Sequence, residues 1–473
     1  QMCIRDRYDF WEMMRKHPRC IGGFLWVLAD EGVKRVDMDG FIDNQGNFGA
    51  DGIVGPHHEK EGSYYTIKQL WSPVQVMNTA IDRNFNGRLS VENRYDYLNL
   101  NTCRFIWQQV KFPSVTDVSN TTTRILKQGE VQGSDVAAHG VGVVDIKTPI
   151  LPEADALFLT AIDKYGHELW RWTFPVDKLN RETEQFSASS GRASYTETEK
   201  GITVKANGRT FVFSKEDGQL KDVSVNNRKI SFANGPRFIG ARRADRSLDQ
   251  FYNHDDEKAK AKDRTYTEFP DAAVFTKLDV KEEGGNLILT ANYKLGNLDK
   301  AQWTIHPDGM ATLDYTYNFS GVVDLMGICF DYPEGQVLSK RWLGAGPYRV
   351  WQNRIHGTQY DIWENDYNDP IPGETFTYPE FKGYFGSVSW MSIRTKEGTI
   401  SLTNETPDSY IGVYQPRDGR DRLLYTLPES GISVLNVIPP VRNKVNSTDL
   451  CGPSSQPKWV DGPQTGRLVL RFE

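Results

Sequence analysis

Four side chains between residues 26 and 57 have the chemistry of ligand contacts. They are an aromatic ring, two carboxylates and an imidazole: Trp26, Asp30, Asp51 and His57. A carboxylate accepts strong hydrogen bonds from hydroxyl groups, a neutral imidazole can donate one, and an indole presents a flat apolar face. Each residue also has an ordinary structural interpretation: a core tryptophan, a carboxylate that caps backbone groups, an Asp-Gly turn and a solvated loop histidine. The residue types alone leave both interpretations open.

Catalytic and metal-binding patterns are absent from the same stretch of sequence. Asp30 and Glu31 point to opposite sides of an extended chain, so they cannot converge as an acid–base pair. Glu12 is predicted on the solvent side of an amphipathic helix. His57 and His58 lack the spacing of a metal pair with further ligands, so zinc is not expected. The five cysteines are scattered without a CxxC pair and are expected to act as buried small hydrophobes.

The composition indicates a globular protein with more than one core. With 473 residues the chain is too long for one ordinary domain, and 38% hydrophobic with 25% charged residues excludes a disordered chain. The net charge is −6, with acidic and basic residues interleaved, so nucleic acid is not an expected partner. Because no apolar run approaches roughly 20 residues, a membrane partner is not expected either.

The N-terminal elements predict part of a larger domain. A helix is predicted over 8–17, a strand buried on both faces over 21–28, and a second helix that Ser63 caps and that ends before Pro73. A single parallel strand with two helices cannot form a domain, because the strand needs neighbours on both edges. The segment 1–78 is therefore expected to be the end of a larger barrel.

Period-two patterns dominate the rest of the chain. A hairpin is predicted from 157–162 and 169–174, within a domain at 79–178 that has the size of an immunoglobulin-like sandwich. A polar stretch at 179–200 is predicted as a linker. Strand patterns then continue through 201–473, which predicts a large double-sheet structure.

Several blocks of sequence together resemble a known family. Their order and spacing match the C-terminal portion of the β-galactosidases of glycoside hydrolase family 2, over nearly the whole chain. The blocks are Gly22-Gly23-Phe24-Leu25-Trp26, Asp51-Gly52-Ile53-Val54, Tyr64…Lys68…Trp71 and Trp342-Leu343-Gly344-Ala345-Gly346-Pro347. The chain departs from the family after Trp26 and after Pro347, and both departures put the natural glycoside in doubt.

The resemblance implies a fold and an activity. The fold class is mainly β: a C-terminal remnant of a (β/α)8 barrel, then an immunoglobulin-like β-sandwich, then a large antiparallel β-supersandwich. The activity is that of a retaining exo-glycosidase on terminal β-galactoside-type bonds. Retaining hydrolysis uses two carboxyl groups, and the resemblance places both catalytic Glu residues upstream of residue 1. The chain is therefore expected to lack turnover, with no catalytic residue of its own.

The resemblance also implies roles for the four candidate residues. Trp26 is expected to form a wall against a pyranose ring, Asp51 to lie near sugar hydroxyls, and His57 to border the pocket, with Asp30 at the barrel mouth. Tryptophans of the supersandwich are further candidates for completing the pocket, with core packing as the alternative interpretation: Trp351, Trp363 and Trp390.

The remaining expectations follow from the same resemblance. The expected partner is carbohydrate, a homo-oligomer is compatible with the family, and a bacterial periplasmic or secreted location is favoured. No cofactor is assigned to this chain, although the intact enzyme is expected to bind Mg or Na. Residues 1–7 resemble a translated sequencing adapter and are expected to be artefactual. The alternative function is a non-catalytic carbohydrate-binding chain or the complementing subunit of a two-chain β-galactosidase.

Overall fold

The computed structural model describes residues 7–43, 49, 52–117, 122–176, 191–243, 266–366, 383–406, 408–413, 428, 430–440 and 452–473. Within these ranges the chain is mainly β, with several antiparallel sheets, as predicted for the fold class at that level. Both α-helices of the described ranges lie before residue 71. Neither of them is long and apolar enough to cross a membrane.

Two helices frame the N-terminal segment, as predicted. Helix α1 spans Arg7–Lys16 and helix α2 spans Gly62–Leu70. The prediction that Ser63 caps α2 was wrong: the cap is Glu61, whose extended backbone (φ −92°, ψ 173°) precedes the helix, while Ser63 lies within the first turn. Between the helices, the short strands β1 (Val33–Arg35) and β2 (Phe41–Asp43) pair with each other.

The segment 21–28 does not form the buried strand that its apolar run predicts. Ile21 and Phe24 are fully exposed, and Leu28 is 63% exposed. The nearest β-contact is a single parallel bridge between Ala29 and Val54. A parallel strand is stabilised by hydrogen-bonded neighbours on its edges and by cover on both faces. The described residues supply this segment only with that bridge, two hydrogen bonds to the Leu28 carbonyl and a small cluster against Leu25, so most of its apolar side chains remain exposed.

The middle of the chain forms two sheets that share one core. Their orders are β3-β4-β7 and β6-β5-β8-β9. Buried side chains from both sheets meet in one cluster, including Leu89 and Val91 from the first sheet and Phe105, Leu159 and Trp172 from the second. The strands are β3 (Val74–Val76), β4 (Arg88–Asn93), β5 (Arg104–Lys111), β6 (Arg124–Gln132), β7 (Val141–Asp145), β8 (Ala156–Ile162) and β9 (Glu168–Pro175).

The predicted hairpin within this region is confirmed. Strands β8 and β9 pair antiparallel, with Leu157 opposite Phe174 and Leu159 opposite Trp172. The connecting turn ends at Gly166, whose φ of 88° is a backbone conformation that glycine adopts without steric cost.

The remaining strands form two large sheets. One has eleven strands in the order β10-β11-β12-β13-β15-β21-β28-β27-β24, with β14 beside β13 and β16 beside β15; the other has nine, in the order β17-β18-β19-β20-β29-β26-β25-β22-β23. The strands are β10 (Ser194–Glu197), β11 (Gly201–Ala206), β12 (Arg209–Ser214), β13 (Leu220–Val225), β14 (Arg228–Ile230), β15 (Ala233–Arg243), β16 (Tyr266–Phe269), β17 (Val274–Glu283), β18 (Asn286–Lys294), β19 (Leu298–Ile305), β20 (Ala311–Val323), β21 (Leu325–Asp331), β22 (Val337–Gly346), β23 (Gln359–Asp366), β24 (Phe385–Gly386), β25 (Trp390–Thr395), β26 (Thr399–Asn404), β27 (Tyr410–Gly412), β28 (Ile432–Val437) and β29 (Lys458–Phe472).

One extended hydrophobic core lies between these two sheets. Trp303 of the nine-stranded sheet meets Phe213 and Phe330 of the eleven-stranded sheet edge to face, with ring centroids 5.9 and 6.1 Å apart. The alternation that predicts strands also selects the buried face: Leu287, Leu289 and Ala291 of β18 point inward.

The C-terminal end of the predicted linker belongs to a sheet instead. Residues 194–197 form strand β10, which pairs with β11 in register from Ser194 opposite Lys205 to Glu197 opposite Ile202. All four side chains of β10 are exposed, since it is an edge strand, and this polar composition is why the stretch reads as a linker. Residues 179–190 of that prediction lie outside the described residues.

A small apolar cluster joins the middle region to the C-terminal sheets. Phe112 and Phe158 from the middle region pack with Leu343 and Trp390 from the nine-stranded sheet. Arg171 of β9 also donates hydrogen bonds from Nε to Gln359 Oε1 and from Nη2 to Asp361 Oδ2, at 2.8 and 3.4 Å. The predicted domain boundaries at 78, 178 and 200 stay predictions.

Candidate functional site

Asp30 is more buried than Trp26 and His57, the other described candidates of the N-terminal segment, with 4% of its surface exposed. Its Oδ1 accepts a hydrogen bond from the backbone N–H of Gly52 at 2.8 Å, and its own backbone N–H donates to the Val54 carbonyl at 2.9 Å. The N–H groups of Ile53 and Val54 both donate to the Leu28 carbonyl, at 2.9 and 3.0 Å. These bonds hold segment 28–30 against segment 52–54.

Only glycine fits at position 52 in this arrangement. A side-chain carbon there would lie 2.4 Å from the Ala29 carbonyl carbon and 2.4 Å from the Asp30 nitrogen. The Asp-Gly pair in the sequence therefore marks a close backbone approach at Gly52. The interpretation of Asp30 as a carboxylate that binds backbone groups agrees with this geometry, and its contact with a ligand stays a prediction.

Trp26 lies on an exposed apolar surface. Its side chain is 70% exposed, so it is not the core tryptophan of the alternative interpretation. Ile21, Phe24 and Leu28 are exposed on the same segment, and a group of exposed large apolar side chains is typical of an interaction surface. Trp26 precedes the hydrogen-bonded segment 28–30 by two residues in the sequence.

His57 lies in a tight turn of that loop. Its side chain is exposed, and its backbone N–H donates to Glu59 Oε2 at 3.1 Å. The turn is closed by the N–H of Gly55, which donates to the Glu59 carbonyl at 2.8 Å, and by the N–H of His58, which donates to the Gly55 carbonyl at 2.9 Å. Asp51 lies outside the described residues, so its predicted role is neither supported nor contradicted.

A cleft of about 470 Å³ lies between the two helices and strand β9. Its lining includes Trp170, Arg171, Glu12, Arg94 and His356. Glu12 Oε1 accepts a hydrogen bond from Arg94 Nη1 at 3.1 Å. The Glu12 carboxylate is thus paired with an arginine inside the cleft.

The sequence pattern predicts that Glu12 lies on the solvent side of its helix, and this prediction is wrong. Its side chain is only 16% exposed and also pairs with Arg15 at 3.3 Å. Arg94 donates from Nε to Glu92 Oε2 at 2.7 Å, so the network ties α1 to the end of strand β4. The amphipathic pattern could not show this, because Arg94 lies 82 residues away along the chain.

The described residues, which leave out Asp51, contain no cluster of metal-ligating side chains. Among them there is no group of three or more His, Cys, Asp or Glu side chains that could hold a metal ion. Of the three described cysteines, all free, Cys103 and Cys329 are buried as expected, whereas Cys20 is only half-buried; burial raises the pKa of the Cys329 thiol to about 11. Such thiols are protonated near neutral pH and are poor nucleophiles.

The tryptophans proposed to complete a pocket are mostly packed in cores. Trp351 and Trp390 are each 4% exposed. Trp363 is half-buried, and its Nε1 donates to the carbonyls of Gly344 and Gln359 at 3.1 and 3.0 Å. Core packing, the alternative interpretation, therefore describes Trp351 and Trp390.

The sequence patterns gave no sign that the loop after β22 contacts helix α2. The ring of Tyr348 packs beside Tyr65, with centroids 5.3 Å apart, and Thr66 Oγ1 donates to the His356 carbonyl at 2.8 Å. These residues lie roughly 280 to 290 positions apart in sequence, beyond the reach of any local pattern. The sequence signals that fall on this loop are the departure from the family motif after Pro347 and the candidate Trp351, and neither predicts a contact with α2.

Comparison with known proteins supports a family for the chain. The family described as Beta galactosidase small chain matches residues 205–434. The β-galactosidase of Priestia megaterium (strain DSM 319 / IMG 1521) is 22% identical over 438 residues, covering 85% of this chain and 39% of that protein. The β-galactosidase of Pseudoalteromonas haloplanktis is 20% identical over 410 residues, covering 76% of this chain and 37% of that protein. The chain thus spans less than two fifths of the length of these relatives, and the similarities support a β-galactosidase-like family.

One solved structure aligns with more than half of this chain, but at low similarity. The galactose 1-epimerase from Lactobacillus acidophilus NCFM aligns over 60% of this chain and 99% of its own length, with 10% identity and a TM-score of 0.32. That score is too low to carry an argument about the fold. The likeness to β-galactosidases therefore depends on the sequence similarities.

Proposed function

We propose that this chain is the C-terminal portion of a retaining exo-glycosidase of glycoside hydrolase family 2, of the β-galactosidase type, that hydrolyses terminal β-galactosides. The observation that carries the proposal is the extent of the similarity. It covers 85% of this chain but only 39% of the Priestia relative, and a β-galactosidase small chain domain matches at 205–434. A shared C-terminal portion accounts for both fractions.

In this proposal residues 8–78 are the end of a (β/α)8 barrel, 79–178 an immunoglobulin-like sandwich, and 201–473 a supersandwich. The order of α1, an extended apolar segment and α2 is the order of a barrel unit, and the bridge from Ala29 to Val54 is parallel. The exposure of Ile21 and Phe24 is what a barrel strand shows when its neighbouring strands are absent.

The proposal assigns no catalytic residue to the chain. Retaining hydrolysis uses two carboxyl groups about 5–5.5 Å apart. Near the candidate surface, the Asp30 carboxylate binds the Gly52 backbone and Glu12 pairs with arginines. Both catalytic Glu residues are proposed to lie upstream, so that the chain alone does not turn over substrate.

The chain contributes binding residues instead. Trp26 offers an exposed indole face to a pyranose ring, and His57 and Asp51 offer a donor and acceptors to its hydroxyl groups. Asp30 belongs to the same site at the proposed barrel mouth, where it holds Gly52 and the loop that carries His57. The expected ligand is a terminal β-galactoside.

The test uses the full-length protein encoded by the gene, assayed on a panel of nitrophenyl glycosides. Activity on the β-galactoside is expected, and Trp26→Ala should lower kcat/KM at least about tenfold, since 1.4 kcal/mol corresponds to tenfold. Trp459→Ala is the matched control, because Trp459 is 71% exposed and Trp26 70%. No activity on the β-galactoside would remove the substrate assignment. Turnover by residues 8–473 alone would overturn the assignment of both catalytic residues to the upstream chain.

A second candidate function is a non-catalytic, complementing subunit of a two-chain β-galactosidase. The exposed apolar residues of segment 21–28 favour it, because a second chain could cover them. Mixing residues 8–473 with a separately expressed upstream barrel should then restore β-galactoside hydrolysis. If only the covalently continuous protein is active, the complementing function is rejected.

A further inference from the structure

Helix α2 is held by the loop that follows strand β22. The Tyr348 ring lies against Gly62, where an added side-chain carbon would be 3.2 Å from the ring. The Tyr348 hydroxyl donates to the Lys60 carbonyl at 3.4 Å, just before the helix begins. The Tyr65 ring lies beside the same ring, tilted by an interplanar angle of 32°. One aromatic side chain from the C-terminal sheets thus covers the first turn of α2.

The second turn of α2 is held by two hydrogen bonds to the same loop. Thr66 Oγ1 donates to the His356 carbonyl at 2.8 Å, and the Gly357 N–H donates to Gln69 Oε1 at 2.6 Å. Gly357 has a φ of +88°, and a side-chain carbon there would lie 2.4 Å from the Thr66 nitrogen. Position 357 therefore requires glycine for both backbone conformation and space.

Helix α1 is also contacted by residues of the C-terminal region, His356 and Ser454. The Tyr8 ring stacks on the His356 ring, with centroids 4.5 Å apart and an interplanar angle of 20°. Asp9 Oδ2 accepts hydrogen bonds from the Ser454 backbone N–H at 2.9 Å and from Ser454 Oγ at 2.6 Å. His356 therefore contacts both helices, through its ring and through its carbonyl.

The loop that carries His57 runs directly into α2. Lys60 forms an antiparallel bridge with Val54, and Glu61 caps the helix. At its other end the loop is bound to Asp30 through Gly52. The loop 52–61 is therefore continuous with α2 at one end and bound to Asp30 at the other.

We propose that Tyr348, His356, Gly357 and Ser454, here called the C-terminal clamp, position helices α1 and α2 and, through α2, the loop 52–61. They are positioning residues, because none of them is proposed to touch the sugar. The effect of the clamp on sugar binding rests on the function proposed above, whereas its positioning of the helices and the loop does not. The competing explanation is ordinary packing between neighbouring regions, with no effect on the loop.

The test compares two glycine variants of the full-length protein by hydrogen exchange. Gly357→Ala introduces the contact with Thr66, whereas Gly166→Ala is the matched control: its φ is also 88° and an added carbon there meets nothing within 4 Å. Thr66→Val is a milder variant that removes the hydroxyl donor while preserving shape. Gly357→Ala and Thr66→Val both disturb the contact between the clamp and α2 and are the two clamp variants; each should speed exchange at least about tenfold in α2 and in the loop 52–61, whereas Gly166→Ala should leave both unchanged.

The outcomes separate the clamp from the proposed function. Faster exchange in α2 with unchanged exchange in 52–61 overturns the clamp, and so does unchanged exchange in both. Affinity for galactose, measured in parallel, should fall at least about fivefold in the clamp variants. Unchanged affinity despite a loosened loop overturns the consequence for sugar binding. Failure of the unaltered protein to bind galactose rejects the proposed function, while the exchange data still decide the clamp.

Discussion

The carboxylate of Asp30 and the backbone N–H of Gly52 form a buried hydrogen bond of 2.8 Å across 22 residues of sequence. The bond fixes the start of the loop 52–61 against the end of the exposed apolar segment. Glycine is required at position 52 because the Asp30 backbone lies 2.4 Å from where a side chain would begin. The geometry of the candidate surface therefore depends on this pair.

Replacing the Asp30 carboxylate should loosen the loop. Asp30→Ala leaves the buried Gly52 N–H without this acceptor, which costs about 1–3 kcal/mol for a buried donor. Thermal melts and hydrogen exchange of residues 52–54 measure the effect. Glu31→Ala is the matched control, since Glu31 is adjacent but exposed, and it should change stability by less than about 0.5 kcal/mol. Equal effects of the two variants would show that the bond contributes nothing.

Acidification should weaken the contact between α1 and the clamp. Burial lowers the pKa of His356, and the nearby carboxylates of Asp9 and Glu12 only partly oppose it. The unfolded chain, with a histidine pKa of about 6.5, therefore takes up a proton first as the pH falls. The stability contribution of neutral His356 is complete above about pH 6.5 and is lost progressively below it.

The measurement is the Tm at pH 7.5 and 5.5. Burial also lowers the pKa of His306, so the comparison must be made between variants. His356→Gln should lose less Tm on acidification than the unaltered protein. His57→Gln, at an exposed position, should retain the full loss. The prediction is wrong if His356→Gln shows the same pH dependence as the unaltered protein.

Arg94 should be needed to hold α1 against strand β4. Burial opposes ionisation of Glu92, but hydrogen bonds and charge from Arg94 and Arg15 outweigh it and lower the pKa of this carboxyl group. The paired carboxylate therefore stabilises the fold above its unfolded pKa, and this contribution is lost as the pH falls through the lowered value.

Arg94→Gln should accordingly speed hydrogen exchange of residues 7–16 at pH 7. The control is Arg88→Gln, because Arg88 is exposed and its nearest contact with Asp145 is 4.0 Å. The two variants remove the same charge, so a general electrostatic effect would appear in both. If exchange in α1 is the same in the two proteins, the network does not hold the helix.

The core of the C-terminal sheets should depend strongly on Trp303. This side chain is 1% exposed and lies between Phe213 and Phe330. Trp303→Ala should lower the free energy of unfolding by about 3–5 kcal/mol, as for other large cavities in cores. Trp459→Ala, at a 71% exposed position, should change it by less than about 0.5 kcal/mol. Denaturant unfolding monitored by far-UV circular dichroism distinguishes the two.

The β-strands were accessible from the sequence because their signal is local. In β18, Leu287, Leu289 and Ala291 alternate with polar residues, and the structure buries this face. In the hairpin of β8 and β9, two apolar runs and a turn at Gly166 specify both strands and their pairing. Burial of one face fixes the register, since a shift of one residue would expose every apolar side chain.

What the sequence by itself determined was the mainly β class, the two N-terminal helices and the confirmed hairpin, all of which follow from periodicity within about 10 to 20 residues. The fate of segment 21–28 was decided by tertiary structure, because an apolar run becomes a strand only where partners supply its hydrogen bonds. The tertiary structure also decided that Arg94 pairs with Glu12. It likewise decided that α2 packs against Tyr348, His356 and Gly357. These contacts join residues 82 to roughly 290 positions apart, and no local pattern specifies which distant backbone will approach.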